Sequence, residues 1–168
     1  RPFGVGEKLV YAVKYFNVVA GYGILEIAGI GEIHGRKIYK LRATAKTAPF
    51  FETFYRVHDI IESYMDVMGM FSWKYTKKLE EGKYRNETYM DFFPEEKYVL
   101  RKDGTRCNTP SFVQDVLSEF YYFRAVFDPD VKETYIDVTS DECKTYQIVV
   151  KVVGYEKVTV DAGEFDCV

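Results

Sequence analysis

The chain has 168 residues, the length of one domain, and its net charge is −3 with acidic and basic residues interleaved. It has no basic stripe that could neutralise phosphates, which argues against a nucleic-acid partner. Its apolar runs are far shorter than the roughly 18 residues of a membrane-spanning helix, so no transmembrane segment is expected. Tyr and Phe are frequent, at 15 and 13 residues, and both favour pleated, half-buried strands.

Alternation of apolar and polar residues predicts about nine or ten strands joined by tight turns. Turns are predicted at Ala20-Gly21, His34-Gly35, Glu81-Gly82 and Asp103-Gly104. The glycines at 21, 23, 29 and 31 share one parity, which predicts a sheet that curls sharply there. In chain order the strands are predicted at 6–17, 22–33, 37–47, 55–68, 70–79, 83–92, 96–101, 132–138, 144–153 and 156–160, with another starting at 164–168.

One helix is predicted at 113–127, where Val116, Phe120, Phe123 and Phe127 are spaced by 4, 3 and 4 residues. The Asp115 carboxylate is placed to cap its first turn. Long sequential strands then predict an all-β fold, a single curved antiparallel sheet that forms a barrel or half-barrel with the helix packed in or across it. We see no domain boundary, so residues 1–168 are expected to form one domain.

Three cysteines, Cys107, Cys143 and Cys167, fit no metal or redox motif. Buried or half-buried thiols are the favoured interpretation, and one disulfide bond between an unspecified pair is the alternative. The chain ends inside a predicted strand, which predicts a truncated C-terminus. It begins Arg1-Pro2-Phe3 rather than with an initiator Met and a signal peptide, so we expect a preceding segment to be absent from this chain.

Four segments, in order along the chain, resemble one bacterial family of exported proteins. They are Val5–Tyr11 with Ala20-Gly21, Tyr55–Val57 with Asp59, Val113–Arg124, and Gly154–Val158 with Ala162–Phe165. The family is catalogued as domain of unknown function 3108. The resemblance implies export to the periplasm or outer envelope and a fold similar to small envelope lipoprotein barrels. The family's function is unassigned, so no catalytic residues can be carried over from it, and the family pattern continues past Phe165.

The residues offer no catalytic or metal-binding motif. Of the two histidines, His34 lies in a predicted turn, and His58 and its neighbour Asp59 point to opposite faces of a strand. No Gly-x-Ser-x-Gly motif is present, and the acidic residues lack calcium-loop spacing. We therefore expect neither a metal nor a cofactor, and no enzymatic activity.

Aromatic residues are the remaining candidates for a site. Trp73, Tyr75, Tyr121 and Tyr122, with Arg124, are predicted to line a pocket for an apolar ligand. The alternative for the aromatic residues is a packed core, which is the favoured interpretation residue by residue. For Arg124, pairing with a strand carboxylate is favoured over binding an anionic headgroup. The hypothesis for function is a non-catalytic binder or carrier of a lipid-like ligand in the cell envelope. A structural or assembly partner of another envelope protein is the alternative, and a hydrolase is a lesser one.

Overall fold

A computed structural model describes residues 2–168, and within that range the chain is mainly β with antiparallel pairing, as predicted. The described residues form twelve strands and two short helices. In chain order these are β1 (Lys8–Tyr15), β2 (Val18–Ile33), β3 (Arg36–Thr47), α1 (Pro49–Glu52), β4 (His58–Asp66), β5 (Ser72–Glu81), β6 (Tyr84–Phe93), β7 (Tyr98–Arg101), β8 (Arg106–Asn108), α2 (Ser118–Val126), β9 (Glu133–Thr139), β10 (Thr145–Lys151), β11 (Glu156–Val160) and β12 (Gly163–Cys167).

Strands β1 to β8 form one sheet in sequence order, each antiparallel to the next. The turns at His34-Gly35 and between β5 and β6 are confirmed, the latter with Glu81 paired to Tyr84. The predicted turn at Ala20-Gly21 is wrong, because β2 runs through it. The chain reverses earlier, at Phe16, which adopts a left-handed φ of 52°.

The sheet is open, so the predicted barrel or half-barrel is not supported. Among the described residues, β1 and β8 are its two edges and do not pair with each other. The argument from glycine parity fails because of a bulge in β2. Ile27 pairs with Leu41 but Gly29 pairs with Lys40, so one extra residue is inserted and the parity reverses. The four glycines therefore do not share a face.

One face of this sheet, called the inner face here, carries the core. Ile27, Leu41 and Met65 are buried on it against Leu117 and Tyr121 of the helical segment. Helix α2 is shorter than predicted because it begins only at Ser118: 113–115 is an extended segment, in which Gln114 forms a β-bridge with Val138 of β9, and 116–117 form a turn. A second cluster packs beneath that extended segment and contains Tyr75, Met90, Phe92, Val99 and Val113.

The hairpin β9–β10 is fastened to the far end of the sheet. A disulfide bond joins Cys107 in β8 to Cys143 in the β9–β10 turn. The favoured interpretation of these two cysteines as thiols is therefore wrong, whereas Cys167 is a free thiol. Lys77 on β5 also forms an ion pair with Asp141 in the same turn. The β11–β12 hairpin is largely exposed.

Candidate ligand-binding site

A surface cleft of about 500 Å³ lies at the end of the sheet where β2 meets β3. We call it the aromatic cleft, and it is lined by Arg36, Gly69, Phe71, Trp73, Pro94, Glu95 and Phe112. The Phe71 ring lies 5.1 Å from that of Trp73 and 5.0 Å from that of Phe112. Phe112 has a left-handed φ of 55° and is exposed, a strained arrangement of the kind that collects at functional sites.

Buried Asp66 holds two lining residues of the aromatic cleft, Arg36 and Trp73, in place. Its carboxylate accepts hydrogen bonds from Arg36 Nε at 2.5 Å and Arg36 Nη2 at 2.9 Å, and from Trp73 Nε1 at 3.1 Å. Burial opposes ionisation, but Arg36, the Gly69 backbone N–H, Trp73 and the Met68 N–H outweigh it and lower the pKa of Asp66 to about 2. The indole N–H and part of the guanidinium are thus committed to holding the cleft together.

A second concavity lies on the inner face beyond the part that α2 covers. We call it the apolar trench, a groove of about 310 Å³ lined by Tyr11, Gly23, Ile24, Leu25, Ala43, Thr44, Ala45, Asp59 and Ile61. That volume is at the low end of small-molecule sites, roughly 300–1,000 Å³.

Strand register explains the shape of the trench. One cross-strand row runs Tyr11, Gly23, Ala45 and Asp59 over β1 to β4, because each residue in it pairs with the next. In the centre of this row glycine and alanine remove side-chain volume, so the floor drops between the Tyr11 ring and β4. A Cβ at Gly23 would meet nothing closer than Tyr11 Cβ at 4.0 Å. The groove is therefore a product of small residues at register positions.

The helix places two of the predicted aromatic residues beside the trench. Tyr121 is buried in the first core cluster, and Tyr122 packs against that same cluster, as do the trench residues Leu25, Ala43 and Ile61. The Tyr121 hydroxyl is buried without a hydrogen-bond partner in the described residues. Burial, with a contribution from Glu7, raises the pKa of Tyr121 to about 12.

Arg124 holds the start of β1 to the helix. Its guanidinium donates to both carboxylate oxygens of Glu7, at 2.6 and 2.9 Å, and lies 5.4 Å from the Phe3 ring centroid. This bidentate hydrogen bonding lowers the pKa of Glu7 and raises that of Arg124. The favoured structural interpretation of Arg124 matches this geometry, although the paired carboxylate precedes the strand.

Asp115 is a buried hub between the helix and the sheet. Its Oδ2 accepts hydrogen bonds from Ser63 Oγ at 2.6 Å and Ser72 Oγ at 2.5 Å. Its Oδ1 accepts from the backbone N–H groups of Leu117 and Ser118 at 2.8 and 2.9 Å, which confirms the predicted capping. Burial nevertheless raises the pKa of Asp115 above its ordinary value. Nothing in the sequence indicated that the hydroxyls of Ser63 and Ser72 would donate to this carboxylate.

Glu119, one turn further along, makes stability depend on pH. Burial and the nearby Asp115 raise its pKa from 4.5 to about 7, and its buried Oε2 has no hydrogen-bond partner in the described part of the chain. The folded state therefore binds this proton more tightly than the unfolded state, and stability is lost as pH rises from about 4.5 through about 7.

We expect Glu119→Gln to raise the free energy of unfolding by about 1 kcal/mol at pH 8, a value reduced because the side chain is only half-buried. Urea titrations at pH 4.5 and pH 8 measure it, and an unchanged pH dependence would contradict the assignment.

The two histidines lie at opposite ends of the sheet. His34 packs 5.3 Å from the Trp73 ring and His58 lies on β4, so they do not meet as an acid–base pair. Over residues 2–168 no group of three or more His, Cys, Asp or Glu could hold a metal ion. No helix in that range is long and apolar enough to cross a membrane.

The five predicted binding residues do not line one cavity. Trp73 lies in the aromatic cleft, Tyr75 is buried in the second core cluster, and Tyr121, Tyr122 and Arg124 lie on α2. Their participation in binding remains a prediction. Sequence reasoning missed Gly23, Ala43 and Ala45, whose only signal was small size at alternate positions of adjacent strands.

The chain is thus an antiparallel β-sheet protein with a covering helix and open surface grooves that include the aromatic cleft and the apolar trench. It belongs to the family described as protein of unknown function DUF3108, whose model matches residues 10–168, as the sequence resemblance implied. No curated protein and no solved structure matches the chain.

Proposed function

We propose that this protein is a non-catalytic binder of an apolar or amphipathic molecule, held in the apolar trench. One observation supports the trench most: an almost wholly apolar groove of about 310 Å³ stays open on the inner face, beside the part that α2 covers. Exposed apolar surface of this kind in a soluble domain commonly marks an interaction site.

The lining indicates what kind of ligand would fit. The floor of glycine and alanine leaves room for a slender or flat apolar group, such as an alkyl chain or an aromatic ring. Asp59 is the one charged side chain among the lining residues, so a neutral or cationic polar end is favoured over a carboxylate. About ten methylenes buried at roughly 0.8 kcal/mol each give about 8 kcal/mol before costs, which corresponds to micromolar binding at best.

The proposed setting is the cell envelope. The family resemblance supports export, and a disulfide bond such as Cys107–Cys143 is compatible with an oxidising compartment. An amphipathic molecule in that compartment would be a lipid or a lipid-like metabolite.

Filling the trench tests the proposal. We expect Ala45→Trp, which places an indole over the floor, to weaken binding of the neutral fluorophore N-phenyl-1-naphthylamine by about tenfold or more, a loss of roughly 1.4 kcal/mol. Ala45 is exposed on its strand, so the larger side chain takes up open groove space and displaces no buried side chain. Fluorescence titration of purified protein measures the affinity.

Ala12→Trp is the matched control. Ala12 is also exposed, but it lies on β1 beside Tyr11 and therefore points to the opposite face of the sheet. The affinity of this variant for N-phenyl-1-naphthylamine should equal that of the wild type. Equal losses in both variants, or wild-type protein that does not bind the probe, would refute a trench site.

A further inference from the structure

Turns at one end of the sheet carry a set of exposed aromatic side chains, which we call the aromatic tips. They come from the β1–β2 turn, the β3–β4 connection and the β5–β6 turn, which the antiparallel order places at the same end. Most of each side chain is in solvent: Tyr15 at 71%, Phe16 at 86%, Phe50 at 73%, Phe54 at 77%, Tyr55 at 56% and Tyr84 at 54%.

Backbone contacts hold these turns together. Ala48 N donates to Ala20 O at 2.8 Å, which joins the β3–β4 connection to β2. Gly82 N donates to Arg56 O at 2.7 Å, and a Cβ at Gly82 would lie 2.8 Å from Tyr55 Cε2, so that ring rests on the next turn. The tips therefore form one surface although 69 positions separate Tyr15 from Tyr84 (84 minus 15).

The rings of the tips contact aromatic rings of the same turn. Phe50 lies 5.2 Å from Phe51 and 6.1 Å from Phe54 between ring centroids, and Tyr15 lies 4.8 Å from Phe16. Single exposed apolar residues are ordinary on a protein surface. Six exposed aromatic side chains gathered on adjacent turns at one end of the sheet exceed that pattern and mark a candidate interaction site.

The charge of this end is opposite in sign to that of the whole chain. Segments 14–18, 46–56, 81–85 and 160–163 contain five cations (Lys14, Lys46, Arg56, Lys83, Arg85) and three carboxylates (Glu52, Glu81, Asp161). The net charge of these segments is +2, whereas the net charge of the whole chain is −3. The β11–β12 turn joins this end through Asp161, whose Oδ2 lies 3.3 Å from Lys14 Nζ. No basic run exists in the sequence because the cations come from separate turns.

We propose that the aromatic tips dock on the surface of a lipid bilayer that contains anionic headgroups. The tips project as separate turns, and the trench and the aromatic cleft lie elsewhere, on the inner face and at the opposite end. A bilayer interface receives projecting rings of any outline, whereas a protein partner would need a complementary socket for each turn. Phe inserts below the headgroups, Tyr stays at their level, and Lys and Arg meet the phosphates.

The bilayer proposal does not depend on the ligand proposal, because the two surfaces share no residue. We expect the wild-type protein to sediment with vesicles of phosphatidylcholine and phosphatidylglycerol in a three to one ratio. The double variant Phe16→Ser/Phe54→Ser should reduce partitioning by about tenfold. A control double variant, Met68→Ser/Tyr155→Ser, removes two side chains of similar exposure, 78% and 72%, away from the tips and should behave like the wild type.

Thermal unfolding of the wild type and the two double variants checks that the variants are folded. We expect them to be, because the substituted side chains are mostly in solvent. The Ala45→Trp variant should bind vesicles normally, so failure of the trench and failure of the tips give different results. Wild-type protein that leaves the vesicles unbound, or equal partitioning of the two double variants, would overturn the bilayer proposal. If the aromatic tips bind a protein partner instead, the wild-type protein is expected to leave the vesicles unbound.

Discussion

Replacing Asp115 by alanine is expected to lower the free energy of unfolding by about 4 kcal/mol. The substitution leaves the hydroxyls of Ser63 and Ser72 and two backbone N–H groups without their acceptor in a site closed to water. Each unpaired buried polar group costs roughly 1–3 kcal/mol, and partial rearrangement reduces the sum. Urea denaturation followed by circular dichroism measures the change.

Asp115→Asn is the matched control. Its amide oxygen can still accept from the N–H groups of Leu117 and Ser118, and its NH₂ can donate to serine hydroxyls that rotate to accept. We expect it to cost about half as much as alanine or less. A loss below about 1 kcal/mol in the alanine variant would show that the hub does not hold helix and sheet together.

Removing the disulfide bond by Cys107→Ser/Cys143→Ser is expected to cost about 4 kcal/mol. The bond closes a loop of 36 residues, and the chain-entropy relation gives about this value for the added freedom of the unfolded state. Urea denaturation of wild type and double variant measures the difference.

Cys167→Ser is the control, because Cys167 is unpaired and its replacement should leave stability unchanged. Reduction of the wild type should reproduce the effect of the double variant. A double variant as stable as the wild type would show that the disulfide bond to the β9–β10 hairpin does not stabilise the fold.

Alternation along the chain predicted most of the fold. The long strands and the turn at His34-Gly35 follow from period two and from turn residues, both of which are local. The capping by Asp115 was also local, since a carboxylate near a helix start meets free backbone N–H groups.

The errors came from features that depend on distant partners. A bulge after Ile27 reversed the parity of the glycines, and only pairing with β3 reveals it. Strand β8, at three residues, and α1, at four, are too short to show a period. The disulfide pair depends on how β9–β10 lies on the sheet, about which the spacing of cysteines says nothing.

The candidate site was less predictable than the fold. Large aromatic residues drew attention in the sequence, yet Tyr75 and Tyr121 are buried in the core. The trench is formed where side chains are small, at Gly23, Ala43 and Ala45, and this can be recognised only once the strands are in register. A groove depends on which residues of neighbouring strands lie side by side, whereas alternation can be read along a single strand.

Amide chemical-shift mapping tests the proposed ligand site most directly. Titration of ¹⁵N-labelled protein with N-phenyl-1-naphthylamine should shift the resonances of Tyr11, Gly23, Ala43, Ala45 and Ile61 and leave those around Trp73 in place. Shifts confined to the aromatic cleft, or none anywhere at saturating probe, would contradict the account.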